Sequence, residues 1–340
     1  MMLPPSEVRD EHGRWRIRRA WPSSNGCDLE VVHADGRLRA GRLRDDRVEL
    51  LADGADKHLP ALARAWSTGT TVSWRRGRRV VLRAHDGSGY VKVVRRESLA
   101  AITRAHDRAE SFRGGFVTPD VTLLDAAGCV HLSRVDGRTL HDLGADPGTP
   151  DAVVQAAWDG WARGWERVLA APVAADAAPH TASAEAEILL RWRDHALRAG
   201  VEAEVASAFD RAAEALTIDA GGASASAHRD LHDKQVLWDG HRAGLIDLDT
   251  AARAEPALDL ANLRAHVAWR RVQGRLSPAR AAGALAAIDG VAARAHVDPA
   301  RIAAYEASTR LRLGAVYLFR PAWHARAAQW LTRCAAEAAR

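Results

Sequence analysis

The chain has 340 residues, 47% of them apolar, with 48 basic side chains against 43 acidic ones and a net charge of +5; that length admits one large bilobal unit or two domains of ordinary globular composition. Cys27, Cys129 and Cys334 are too few and too scattered for a disulfide framework or a zinc site, no run approaches the ~18 apolar residues of a membrane span, and Met1–Glu7 lacks a secretory-signal pattern, so a cytoplasmic protein without a membrane partner is expected. The arginines are dispersed and interleaved with acids, which argues against a nucleic-acid partner and equally suits a cleft that draws in a nucleotide.

Residues 1–66 read as a β-rich extension. Strands are predicted over Trp15–Trp21, Asp28–His33, Arg37–Leu43 and Arg47–Leu51, separated by Ser-Ser-Asn-Gly, Ala-Asp-Gly and Arg-Asp-Asp turns. A short helix over Lys57–Trp66 follows. No chemistry is evident there. Residues 67–135 form the next unit: strands over Thr70–Trp74 and Arg79–Ala84 flank the loop Arg75-Arg76-Gly77-Arg78, and Asp86-Gly87-Ser88-Gly89 turns into a third strand, Tyr90–Val94. That strand carries Lys92. The chain has three lysines, Lys57, Lys92 and Lys234, and so 45 arginines. A lysine inside a strand therefore invites a reason, because it is a compact point charge and not a planar fork. A helix over Glu97–Phe112 and strands over Thr118–Leu124 and Gly128–Ser133 complete the unit.

Residues 136–340 are mainly helical. In Asp151–Ala171, Val154, Trp158, Trp161, Trp165 and Val168 recur at three and four, one apolar helix face. Such a stripe is more often core than a platform for a sugar or aromatic ring. Helices over Ala182–Ala199 and Glu202–Leu216 lead to a linker at Gly221-Gly222. Beyond the next stretch, Pro256, Pro278, Pro299 and Pro321 open four more helices, the last running to Arg340. His266, Trp269, Glu306, Arg310 and Trp323 on them are candidates to face a substrate.

The stretch His228–Asp249 carries the chemistry. Val236-Leu237-Trp238 and Gly244-Leu245-Ile246 flank Asp239-Gly240, a hairpin signature. Folding it brings Asp230, Gln235 and Asp247 to one end. Two carboxylates and an amide oxygen there suit Mg²⁺, a hard cation that takes few protein oxygens plus substrate phosphates.

His-x-Asp-x-x-x-x-Gln, a hairpin and then Asp resembles the catalytic and metal loops of protein kinases. With Asp-Leu-His after His228-Arg229 and Ile246-Asp247-Leu248-Asp249 later, it resembles more closely the aminoglycoside phosphotransferase-like family of small-molecule kinases. Gln235 stands where most members have Asn; some sugar kinases of that group also carry Gln. The resemblance implies an α+β, bilobal protein-kinase-like fold with a β-rich N-lobe and a helical C-lobe. It implies Lys92 on the ATP phosphates, oriented by an acid of the following helix, with Glu110 first and Asp107 and Glu97 competing. It implies adenine at the hinge backbone of Ser133 and Val135, and Asp230 as catalytic base. Gln235 and Asp247 would hold Mg²⁺, and Asp249, sharing a strand-end face with Asp247, would reach a second metal or the acceptor unless it is a solvated charge. His228 and Asp259 would brace the catalytic loop. The implied function is Mg-ATP-dependent phosphorylation of a hydroxyl on a small polar molecule, a sugar or amino sugar being slightly favoured by Gln235 and the extension. The alternatives are an aminoglycoside-type antibiotic phosphotransferase and a non-catalytic kinase-like binding module.

Overall fold

The computed structural model describes residues 3–11, 13–174, 176–222 and 224–338. The first five strands, β1 (Glu7–Asp10), β2 (Gly13–Ser23), β3 (Gly26–Val32), β4 (Leu38–Arg44) and β5 (Arg47–Leu50), form an antiparallel meander. Trp15 and Ile17 of β2 alternate inward. The pairing then skips from Ile17–Val31 to Arg19–Glu30, so Arg18 is an extra residue and β2 bulges there. The bulge shifts the phase of the strand, sets Arg18 and Arg19 side by side and turns Ala20 into the core. β1 escapes the sequence reading because its four residues, Glu-Val-Arg-Asp, hold one apolar side chain.

A short helix, α1 (Leu62–Ala65), precedes the second sheet. That sheet has the order β6 (Gly69–Arg75), β7 (Arg79–Ala84), β8 (Gly89–Val94), β10 (Cys129–Ser133) and β9 (Val121–Asp125), all neighbours antiparallel. The segment predicted as one helix from Glu97 to Phe112 is two, α2 (Leu99–Arg108) and α3 (Glu110–Arg113), separated at Ala109.

The C-terminal region begins with β11 (Arg138–Thr139) and α4 (Leu140–Ala145), then α5 (Asp151–Ala170), α6 (Ala182–Arg198) and α7 (Ala203–Thr217). Strands β12 (Ala225–Ala227) and β15 (Ala252–Ala254) pair, and β13 (Val236–Trp238) lies between β11 and β14 (Ala243–Leu245). The hairpin turn is four residues and not two: Asp239 Oδ1 accepts the His241 and Arg242 N–H groups, both at 2.7 Å. α8 (Ala257–Val272), α9 (Pro278–Arg294), α10 (Pro299–Leu318) and α11 (His324–Ala338) finish the described chain; the predicted end at Arg340 lies outside the described residues. Ser277 and Asp298 cap α9 and α10 through the Arg280 and Ala300 N–H groups, with proline at the next position in each.

Trp158, Trp161 and Trp165 are buried with Phe112, Phe116, Leu231 and Leu245 in one core, so the tryptophan stripe is packing. The first sheet is not a free appendage. Trp15, Ile17, Leu29 and Val31 share a core with Trp269, Tyr305 and Phe319 of the helical region. The Ala20 N–H donates to Phe319 O at 2.9 Å. On its other side Arg18 donates to Val72 O of β6 at 2.9 Å, and the fully buried Glu30 accepts the Trp74 N–H at 2.9 Å. This sheet therefore bridges both lobes. Among the described residues no helix is long and apolar enough to cross a membrane.

Candidate active site

β12, β13, β14 and β15 exist to present two loops, residues 228–235 and 246–251. Asp259, buried in the first turn of α8, accepts the His228 N–H at 2.7 Å on Oδ2 and the Arg229 N–H at 2.9 Å on Oδ1. Burial pushes this carboxyl up, against the opposing pull of His228 and the loop N–H groups. Arg229 itself sits at φ 71°, a left-handed backbone that a side chain rarely adopts unless held. His228 ties the loops together: Nε2–H donates to Ile246 O at 2.9 Å, which fixes the tautomer and leaves Nδ1 to accept the Asp230 N–H at 3.4 Å. The Asp230 carboxylate is exposed. Gln235, 5% exposed, donates Nε2–H to Asp230 Oδ2 at 3.4 Å while its Oε1 accepts the His232 N–H at 3.2 Å.

Lys92 reaches across from β8. Its ammonium donates to Asp247 Oδ1 at 3.0 Å and to Asp249 Oδ2 at 2.7 Å. Burial raises both carboxyls, but the Lys92 charge with Arg79 (for Asp247) and His106 (for Asp249) outweighs it and holds them below the usual range. Their shared approach does not come from a strand. Asp247 has φ 64°, and Leu248–Thr250 is a 3-10 turn. The reversal of the chain, not strand alternation, aims both carboxylates at one ammonium.

Glu110 is a correction. Its side chain is 77% exposed and pairs with Arg113 at 3.6 Å; Glu97 is 73% exposed beside Arg95, and Asp107 is exposed as well. None of the three acids is beside Lys92. The buried stripe Ile102, Ala105, His106 faces the loops, and Glu110 lies on the exposed side. His106 Nε2 stands 3.5 Å from Asp249 Oδ1, and both atoms are buried without a hydrogen bond. The sequence reading looked for an acid and passed over this histidine. It passed over Arg79 too, whose Nη1 is 3.8 Å from both Asp247 and Asp249; the arginine-rich loop beside it was the available signal.

At the hinge the Ser133 N–H donates to Asp120 O and the Arg134 N–H to Ser88 O. Neither N–H is free for a base. Val135, 8% exposed, has no such backbone bond among the described residues. Behind the 228–235 loop, Arg270 forks onto buried Asp233 with Nε at 2.8 Å and Nη2 at 2.9 Å, and His141 Nδ1 adds a contact at 2.9 Å. Burial would raise the Asp233 carboxyl; Arg270 and His141 hold it well below the usual range. Of the residues expected to face a substrate, Trp269 is core, and His266 is buried with its ring 4.8 Å from that of His232.

Among the described residues no three His, Cys, Asp or Glu side chains converge on one point. What the loops offer is two carboxylates and an amide oxygen, with Asp249 Oδ1 buried 3.5 Å from His106 Nε2. That all-oxygen set fits a hard cation whose shell is completed by water and phosphate.

A five-stranded sheet with a lysine reaching two aspartates, joined by a hinge to a helical lobe with paired loops, defines a protein-kinase-like fold of the aminoglycoside phosphotransferase type. An aminoglycoside phosphotransferase from Streptomyces rimosus aligns with a TM-score of 0.53 at 22% identity, over 76% of this chain and 96% of that one. A thermostable mutant of a second aminoglycoside phosphotransferase gives 0.53 at 18% identity, over 80% and 94%, and a third in complex with gentamicin gives 0.50 at 13%, over 77% and 88%. At such identities the likeness establishes the fold. No sequence-family model and no curated protein sequence matches the chain.

Proposed function

We propose that the protein transfers the γ-phosphoryl group of ATP to a hydroxyl of a small polar acceptor, a sugar-type molecule being the favoured class. The observation that carries this reading is the meeting of Lys92 with Asp247 and Asp249 across the lobes, while His228 ties their loop to the one bearing Asp230. Phosphoryl transfer needs alignment and charge neutralisation more than covalent chemistry from the protein. The acceptor oxygen bonds to the γ-phosphorus as the bond to the ADP oxygen breaks, and the hydroxyl proton passes to Asp230. Gln235 keeps that carboxylate oriented, and its position in the chain supports the sugar-type class. Lys92 leaves its aspartates for the nucleotide phosphates. Mg²⁺, held by Asp247 and the second lone pair of the Gln235 oxygen, would supply charge neutralisation for those phosphates.

Purified protein with Mg²⁺ and γ-labelled ATP, offered sugars, sugar acids, amino sugars, choline-like alcohols and aminoglycosides, is expected to label one of these classes. Asp230→Asn should lower the rate by about 10²–10⁴-fold, the share of a general base, without weakening ADP binding. Turnover of Asp230→Asn at the wild-type rate would remove Asp230 from the role, and absence of both transfer and nucleotide binding would remove the function.

A further inference from the structure

A chain of buried polar side chains runs from α6 through α10 and α8 to Leu231, the residue after Asp230. Asn262, fully buried on α8, donates Nδ2–H to Leu231 O at 2.8 Å. Its own Oδ1 accepts Arg312 Nη2 of α10, also at 2.8 Å. Arg312 Nε faces Glu185 Oε1 of α6 at 3.5 Å, an ion pair without a hydrogen bond. Glu185 Oε2 in turn takes the His180 Nε2–H at 2.9 Å. Asn262, Glu185 and His180 are buried, and the Arg312 side chain is 15% exposed. Burial raises the Glu185 carboxyl, but the His180 bond and the Arg312 charge outweigh it and hold it below the usual range.

Each link fixes the next. A side-chain amide can present its oxygen or its nitrogen to a neighbour. Only the oxygen can face the Arg312 guanidinium, which leaves the Asn262 nitrogen for Leu231 O; the flipped amide would set oxygen against oxygen and N–H against N–H. Glu185 holds the guanidinium and His180 holds Glu185. The far end is anchored too. The His180 N–H donates to Arg253 O at 2.7 Å and the Arg253 N–H to Ala178 O at 3.0 Å, which joins this segment to β15. β15 pairs with β12, whose last residue, Ala227, precedes His228. The chain of contacts therefore leaves the 228–235 loop at Leu231 and returns to its start.

Asn262 lies three residues after Asp259, on the same face of α8. Asp259 accepts the N–H groups of His228 and Arg229, and Asn262 donates to the carbonyl of Leu231. One helix face thus grips the loop on both sides of Asp230. The Asp230 carboxylate is exposed, and its direct contacts, Gln235 on the side chain and His228 on the N–H, are both 3.4 Å long. Its aim therefore depends on the backbone that carries it. We propose that Asn262, oriented by Arg312, Glu185 and His180, is a positioning residue that fixes the backbone after Asp230 and so aims its carboxylate. The role rests on the phosphotransferase reading above, because it needs Asp230 to take the acceptor's proton. A buried carbonyl stripped of its donor is costly, so without the Asn262 N–H the Leu231 peptide turns towards another partner and carries Asp230 with it. Lys92 and the 246–251 loop, which serve the nucleotide, have no part in this grip.

Asn262→Asp keeps the size of the side chain and an acceptor for Arg312, and removes the donor to Leu231. It should lower kcat by about tenfold, with KM for ATP within about twofold of wild type and the ADP-induced thermal shift unchanged. Hydrogen exchange of residues 228–235 should quicken in this variant while that of α5 does not. Arg312→Met leaves the Asn262 amide free to turn and should lower kcat alone by about threefold, the lower end of a hydrogen bond's worth. Arg312→Lys, which keeps a donor for Asn262 Oδ1, should restore most of that loss. If Asn262→Asp does not fold, the Arg312 pair decides. Wild-type kcat in folded Asn262→Asp or in Arg312→Met would overturn the positioning role, as would a rise in KM for ATP matching the fall in kcat, or equal losses in Arg312→Met and Arg312→Lys. Each of these results leaves the phosphotransferase reading standing. Failure of the wild-type protein to label any acceptor would end that reading and the positioning role with it.

Discussion

Gln235 serves two neighbours with one amide. Its oxygen takes the His232 N–H and its nitrogen reaches Asp230, so the side chain spans the catalytic loop from within. Asparagine, the commoner residue in the resembled kinases, is shorter by one methylene and cannot reach both from the same backbone. Gln235→Asn should therefore release Asp230 or the His232 N–H and lower kcat by about tenfold, the worth of one hydrogen bond to a charged group. The variant should leave the urea midpoint nearly unchanged because the opposite side of the loop is still held by Asp259. Wild-type kcat in the Gln235→Asn variant would show that the amide acts through the metal alone.

The arginine-rich turn between β6 and β7 shows what the extension contributes. Arg75 lies over the Trp21 ring at 5.1 Å, Arg76 stands 3.8 Å from Asp28, and the Gly77 N–H donates to Asp56 at 2.6 Å. A turn that flexible glycines would leave loose is here pinned from outside, with Arg79 left to face Asp247 and Asp249. Glu30 anchors the pair of sheets from the interior. Glu30→Gln leaves Arg18 and Arg19 without their carboxylate beside a buried Trp74 N–H. The expected loss is about 2–3 kcal/mol in urea unfolding, under the range for a wholly buried pair because both arginines keep about a third of their surface in water. A loss below about 1 kcal/mol, the value of a surface pair, would mean that the sheets dock by apolar packing alone. The strands themselves were legible: Arg79–Ala84 and Val236–Trp238 have the predicted ends, because turn residues bracket short apolar runs. The loop of residues 228–235 stood out in the sequence because its polar residues fall at fixed offsets within one segment. What joins distant segments left no periodic trace. His106 meeting Asp249, Arg79 meeting Asp247, and β2 lying against α10 are tertiary contacts, and Glu110 was misplaced because the sequence does not say which side of α2 meets the loops.

α8 unites the molecule. Its Ala257, Leu258, Ala261, Ala265 and Trp269 pack into the core shared with the first sheet, while Leu260, Leu263 and Val267 pack into the tryptophan core around α5. Opening either core disturbs α8, so a proton forced onto its face is felt by the whole fold. His266 on α8 and His232 of the catalytic loop meet there, ring to ring at 4.8 Å. Burial, with Arg270 and other cations, drops His232 to about 4 from 6.5 and His266 well below 6.5. Both histidines are therefore neutral when folded, whereas the unfolded chain protonates them near 6.5. The folded pKa values are depressed, so this stability is complete above about pH 6.5 and is lost as pH falls from there towards 4, by up to about 1.4 kcal/mol per pH unit for each histidine. The Asp233 carboxylate, also depressed, gives way only below the ordinary aspartate range and does not enter this window. Urea unfolding at pH 7, 5.5 and 4.5 should show the decline, and His266→Gln should reduce its slope by about the share of one proton whatever the variant costs at neutral pH. A flat profile from pH 7 to 4.5, or an unchanged slope in His266→Gln, would show that the pair accepts a proton within the folded protein.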